Sequence, residues 1–297
     1  MAGMAPRVVI VTRATEFAEL IGHHGTREQA RFFLETRGRS IDEVETIDRR
    51  TRAAIETVSA AIPSEWPRTH VDRSDLDRFL FRPDDVVVAF SNGLVANVAK
   101  YLSGQVVIGI NPDPGRSEAI LVPHPTAAIG RLLERAARQE GEIVERTMVE
   151  ALLDDGQRLL ALNEVFIGHA SHQSARYVLE SAGQRERQSS SGLIVTTGTG
   201  ATGWGRSIHL CHRSELAMPH PTEPALAFFV REAWPSPISG AGLTESRLEA
   251  TDQLLVTSQM NDGGVIFGDG IEADHLDFGW GQTVAVRVAS ERLRLIR

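Results

Sequence analysis

A chain of 297 residues, 42% hydrophobic and 24% charged, is long enough for one large domain or two ordinary ones around a proper core. No apolar run approaches the roughly 20 residues of a membrane span, so no membrane contact is expected. A net charge of −8 argues against non-specific nucleic-acid binding, which needs surplus Lys and Arg, yet it leaves room for a small anion held by a few local arginines.

The first strand-like run, residues 7–12 around Val8-Val9-Ile10-Val11, starts almost at once, which leaves no room before it for a targeting segment. Residues 26–62 read as one helical stretch. Ala30, Phe33, Leu34, Ile41, Val44, Ile47, Ile55 and Val58 recur at helical spacing, and Pro63 and Pro67 end it. Residues 85–90 form a second buried strand, Gly93 opens a short helix over 95–102, and residues 106–110 form a third strand ended by Pro112 and Pro114. Strand, helix and strand at this distance make a βαβ unit with a parallel sheet. Lys100 is the chain's only lysine and follows Val98-Ala99, not a GxxxxG loop, which excludes a P-loop NTPase. No DFG or HRD motif accompanies it, which argues against a protein kinase.

The character changes near Pro125. A helix over 126–139 leads into a β-rich region, where residues 142–153 and 158–162 flank the hairpin turn Asp154-Asp155-Gly156. Residues 163–168, 175–180, 192–197, 225–230, 254–258 and 283–288 read as further strands, and their number and spacing predict a sandwich or layered β domain.

Candidate sites lie at the strand ends. Phe90-Ser91-Asn92-Gly93-Leu94 joins a buried strand to a helix, in the crevice where parallel sheets bind ligands, with Gly93 allowing a tight turn and helix N–H groups open to an anion. Gly109-Ile110-Asn111-Pro112-Asp113-Pro114 ends the next strand at the same edge and would aim Asp113 and Arg116 into that crevice; it also reads as a rigid proline-bracketed turn. Asn163-Glu164 opens a strand, where an amide beside a carboxylate can grip ribose hydroxyls or base amines, or simply start the strand.

The run from Thr196 to Trp204 follows an apolar strand and precedes a helix. Its Gly198, Gly200 and Gly203 match GxGxxG, but the acidic residue expected about 20 positions on is missing, which rules out the Rossmann version. Hydroxyls and an aromatic, with Ser207 nearby, still suit a nucleotide. His169 with His172 and His209 with His212 have metal-compatible spacings but no third ligand, so no metal held by the protein is expected. Cys211 is the only cysteine, which fits a reducing, cytoplasmic setting.

Taken together, these segments resemble the NAD kinase family, and its mitochondrial type in particular. The strand–loop–helix around Asn92 falls where the family carries GGDGT. Residues 109–118 are similar to the mitochondrial-type strand end, Ala161-Leu162-Asn163-Glu164-Val165-Phe166-Ile167-Gly168 to the Asn-Glu motif, Ser190-Ser191-Gly192-Leu193 and Thr197-Gly198-Thr199-Gly200 to the second glycine-rich loop, and Asp262-Gly263-Gly264 to the late Asp-Gly turn.

The resemblance implies an NAD kinase-like two-domain fold. An α/β nucleotide-binding domain with a parallel sheet would span 1–124 and be rejoined by about 282–297; a β-rich dinucleotide-binding domain would span 125–281. NAD would lie between them, held by Asn163 and Glu164, bordered by Thr202 and Trp204 with Ser207 nearby, and lined by Gly93, Asn111, Thr199 and Gly200. The implied reaction is phosphoryl transfer from ATP, with a divalent metal such as Mg2+, to the 2′-hydroxyl of NAD, giving NADP. A homodimer or higher homo-oligomer is implied as well.

One departure matters. Where the family has GGDGT, only Gly93 is kept, and Asn92 replaces the Asp that accepts or orients the hydroxyl proton. Asn cannot accept a proton at neutral pH, and general-base help is worth on the order of 10²–10⁴-fold. Either the site is rebuilt, with Asp113 or another nearby carboxylate as base, or the chain binds NAD(P)(H) without turnover. A kinase acting on another hydroxyl-bearing nucleotide or lipid is a more distant reading.

Overall fold

The structure, a computed structural model, describes residues 5–115, 119–138 and 140–297. The chain forms two units, one from Met1–Val98, Gln105–Val144 and Arg294–Arg297, the other from Ala99–Gly104 and Glu145–Leu293.

The first unit is built on β1 (Val8–Thr12), β2 (Arg68–Asp72), β3 (Val86–Ala89) and β4 (Val106–Asn111), all parallel in the order β2-β1-β3-β4, with the short β5 (His124–Pro125) beside β4. Near the C-terminus, Arg294 and Leu295 also pair with β4 in parallel. The inner strands are apolar throughout because both faces are covered, as parallel sheets require. The core joins Val8, Ile10, Val88 and Ile108 to Val58 and Leu133 from the flanking helices.

Those helices are α1 (Glu16–His24), α2 (Arg27–Glu35), α3 (Ile41–Ala61), α4 (Asn92–Ala99) and α5 (Ile129–Ala137). The helix expected over 26–62 is two helices. Gly38 turns left-handed at φ 69°, and the side chain of Ser40 accepts a bond from Asp42 N–H to start α3 afresh. The helix α1, capped by Thr15, and the polar edge strand β2 were not foreseen. The predicted helix over 95–102 begins earlier, at Asn92. Ser91 is its cap, its hydroxyl accepting from Leu94 N–H at 3.2 Å.

The second unit holds β6 (Ile143–Leu153), β7 (Arg158–Ala161), β8 (Glu164–His169), β9 (Ala175–Ser181), β10 (Gln184–Ser190), β11 (Leu193–Thr196), helix α6 (Trp204–His212), β12 (Leu226–Val230), β13 (Glu245–Leu248), β14 (Gln253–Ser258), β15 (Gly264–Gly268), β16 (His275–Asp277) and β17 (Thr283–Ile296). One sheet runs β13-β12-β11-β8-β15-β16; the other carries β10-β9-β14-β17, with β6 against β17 and β7. Val165, Ile167, Val195 and Phe228 of the first interlock with Tyr177, Leu179, Val256 and Val286 of the second in one core, the sandwich that the sequence predicts. The outer face of the first sheet, at Phe166, Ile194 and Phe229, is covered by Trp204 and Ile208 of α6.

Candidate functional site

In the first unit, a cavity of about 400 Å³ opens where β1, β3 and β4 end. Its walls carry Thr12 and Arg13 after β1, Ser91 and Asn92 after β3, and Asn111, Pro112 and Asp113 after β4, so the two predicted strand-end segments do share one crevice. The volume is within the range of small-molecule sites.

The side chains here are already employed. Asn92 Oδ1 accepts from Leu121 N–H at 2.9 Å, and Asn111 Oδ1 accepts from Asp113 N–H at 3.0 Å. Gly109 makes the first contact possible: a Cβ there would collide with the backbone of Leu121 and Val122, which cross β4 at that point. Asp113 is ion-paired with Arg50, and Glu16, the other carboxylate of the wall, is bonded by Arg39 at 2.6 and 3.0 Å.

Gly93 does not make a tight turn. It sits inside the first turn of α4 with helical backbone, and a Cβ there would meet nothing within 4 Å. Arg116, expected at the same edge, lies outside the described residues, as do Ser117 and Glu118.

In the second unit, the Asn-Glu turn and the threonine–glycine loop are locked together. Thr197 N–H donates to the Asn163 carbonyl at 2.9 Å, and Thr197 Oγ1 donates to the Leu162 carbonyl at 2.6 Å while accepting from the N–H groups of Thr199 and Gly200. Gly200 is required, since a Cβ would strike the Asn163 carbonyl and Thr196 Oγ1. Thr199 is buried and accepts from Arg146, and Thr202 Oγ1 donates to the Thr199 carbonyl at 2.8 Å. Trp204 stacks on Phe166, centroids 6.0 Å apart, with the Arg231 guanidinium over its ring; Ser207 is exposed on α6.

Glu164 lies two positions before Phe166 on the same face of β8 and is 8% exposed. Its carboxyl takes no hydrogen bond from the described residues. Burial first, and then the negative Asp269, push it up to about 8. Asp269, which the sequence reading did not single out, lies at this turn. Its carboxylate accepts from Leu162 N–H at 2.8 Å and Asn163 N–H at 2.6 Å, and more weakly from Glu164 N–H at 3.4 Å. Its own N–H donates to the Glu164 carbonyl at 3.1 Å. Burial raises its carboxyl to about 6 although these amides and Lys100 lower it. Gly268-Asp269-Gly270 after the apolar run Val265-Ile266-Phe267 was a readable turn signal.

One histidine of each pair is engaged elsewhere: His169 Nδ1 accepts from Ser171 N–H, and His209 bonds the Leu216 carbonyl. Among the described residues no group of three or more His, Cys, Asp or Glu is placed to hold a metal. Mg2+ is usually held by one or two carboxylates plus substrate phosphates. With Asp113 and Glu16 both on guanidinium groups, the cavity suits a protein-held cation poorly. Among the described residues no helix is long and apolar enough to cross a membrane.

No protein-family model matches the sequence, and no curated protein matches it. Among solved structures the chain is similar to yeast NADH kinase in complex with NADH, with a TM-score of 0.61 and 13% identity over 99% of this chain and 84% of that one. It is also similar to an NAD kinase from Archaeoglobus fulgidus in complex with ATP, with a TM-score of 0.58 and 15% identity over 98% of this chain and 93% of that one. What is shared at such identities is the architecture: a parallel α/β unit and a β-sandwich unit in the two-domain fold of the NAD kinases.

Proposed function

We propose that this chain is an NAD kinase-like protein that binds NAD(P)(H) dinucleotides and carries a much-altered phosphoryl-transfer site. The observation that carries the reading is Glu164: a residue only 8% exposed whose carboxyl has no hydrogen-bond partner among the described residues, on the loop pair that the sequence marks for a dinucleotide. A ribose diol supplies the two O–H donors such a carboxyl lacks. The complexes of the two structural neighbours with NADH and ATP support ligands of this class.

In this reading Asn163 and Glu164 hold the dinucleotide, Gly200 allows close approach of the loop, and Trp204 and Ser207 border the ligand beside Thr199 and Thr202. The cavity of the first unit, at Gly93, Asn111 and Asp113, receives the nucleoside triphosphate. The reaction is transfer of its terminal phosphoryl group to the NAD 2′-hydroxyl, which depends on positioning and charge neutralisation more than on covalent chemistry from the protein. The mitochondrial-type wording of residues 109–118, a 1–124 and 125–281 division of labour, a homo-oligomer and a cytoplasmic setting belong to the same proposal.

A second reading, binding without turnover, is favoured by the state of the cavity. Asn92 offers no proton acceptor and is tied to Leu121, and Asp113 is tied to Arg50. Incubating the pure protein with NAD, ATP and magnesium separates the two. NADP formation that Asp113→Ala abolishes supports the rebuilt kinase. Dinucleotide binding without NADP supports the second reading, and no binding overturns both.

A further inference from the structure

We propose that Asp269 is the positioning residue of the dinucleotide hook: its carboxylate fixes the turn that presents Asn163 and Glu164, with its charge set beside the Glu164 carboxyl. The proposal deepens the functional reading above and rests on it for the ligand alone.

The geometry is specific. Residues 162–163 make the tight turn between β7 and β8, where backbone N–H groups have no strand partner. Asp269 reaches them from the turn after β15, with Oδ2 accepting from Leu162 and Oδ1 from Asn163. The return bond from Asp269 N–H to the Glu164 carbonyl closes the clamp. Asp269 has φ 53°, a left-handed conformation that Asp tolerates better than most residues, and Gly270 follows at φ 69°. Gly268 lets this strand end lie against Ala161 and Leu159, where an added Cβ would come within 3.0 Å of both side chains.

Two buried carboxyl groups on facing strand ends cannot ionise independently. Asp269 acts on Glu164 directly; Lys100 acts on Asp269 and is itself paired with Asp274, which also accepts from Tyr101 Oη at 2.8 Å. The β11 residue opposite Glu164 is the uncharged Thr196. Burial keeps Glu164 protonated near neutral pH, and Asp269, held on the turn amides, adds to that when it is ionised. Binding of a diol that donates to Glu164 then releases a proton, and dinucleotide affinity rises with pH towards 8.

The test uses the full chain without ligand, as wild type, Asp269→Asn and Asp269→Ala. Amide exchange at Leu162 and Asn163 is expected to quicken at least about tenfold in both variants while Phe228 and Val256 in the sandwich stay protected. The Glu164 carboxyl, followed by carbon NMR, is expected to titrate at lower pH in Asp269→Asn. Unchanged turn exchange in Asp269→Asn, or an unchanged Glu164 midpoint, overturns the proposal. Calorimetry with NADH at pH 6 and 8 is run on the same samples. Absence of NADH binding by wild type defeats the functional reading, while the exchange and titration results still decide the role of Asp269.

Discussion

Asn92 Oδ1 accepts the backbone N–H of Leu121 at 2.9 Å, so the side chain standing where a catalytic carboxylate is expected serves as a structural acceptor. A carboxylate at the same position would keep that bond, because it too is an acceptor and has nearly the same shape. Asn92→Asp is therefore expected to fold with that contact kept. If the missing base is the main defect, NADP formation from NAD and ATP rises on the order of 10²–10⁴-fold over wild type. A stable Asn92→Asp with no gain places the defect in the phosphate site, where Phe90 and Ser91 stand.

Gly109 is expected to tolerate no side chain. In Gly109→Ala the new methyl meets the backbone of Leu121 and Val122, which cannot rotate away as a side chain could. The expected cost is about 1–3 kcal/mol, read as a lower denaturation midpoint, with altered exchange at the Leu121 amide. Wild-type stability in that variant would contradict the packing described for β4.

Folding stability is expected to depend on pH through Glu164 and Asp269. Both carboxyls are raised on folding, from 4.5 to about 8 and from 3.8 to about 6. Between those limits the folded chain holds protons that the unfolded chain has released. This contribution is full below about pH 4, declines as pH rises and is gone above about 8. Glu164→Gln removes the larger share. It is expected to match wild type near pH 5 and to exceed it at pH 8.5 by on the order of 2 kcal/mol, about 5 °C in Tm. Equal slopes of Tm against pH would show that Glu164 titrates normally.

Much of this architecture was readable from the sequence. The apolar runs of β1, β3 and β4 and the hairpin at Asp154-Asp155-Gly156 announce themselves because burial on two faces and turn chemistry leave a local trace. The strand β10, Gln-Arg-Glu-Arg-Gln-Ser-Ser, does not, because it is polar throughout and its place is set by pairing with β9. The break at Gly38 was legible as a glycine followed by a capping serine but was masked by continuing helical periodicity. In the site, Asn163, Glu164, Thr199 and Gly200 came from wording in the chain. The contribution of Asp269 depends on a contact spanning 106 positions to Asn163, which no local pattern records.

The side chain of Lys100 is 4% exposed and faces Asp274, so the chain's single lysine is a structural cation. Lys100→Met would take the ammonium from Asp274 and leave it the Tyr101 hydroxyl. The expected loss is about 1–3 kcal/mol, together with a further upward shift of the Asp269 carboxyl once the lysine's lowering influence is gone. An unchanged Asp269 titration in a folded Lys100→Met chain would contradict that coupling.

The most direct test of the central claim, that the Asn163–Glu164 hook grips a dinucleotide, is calorimetric titration of NAD, NADH and NADP into wild type and Glu164→Gln at pH 8. Binding in the range of about 1 μM to 1 mM, weakened at least about tenfold by Glu164→Gln, is the expected result. No binding of any of the three, or equal affinity in the two proteins, would contradict it.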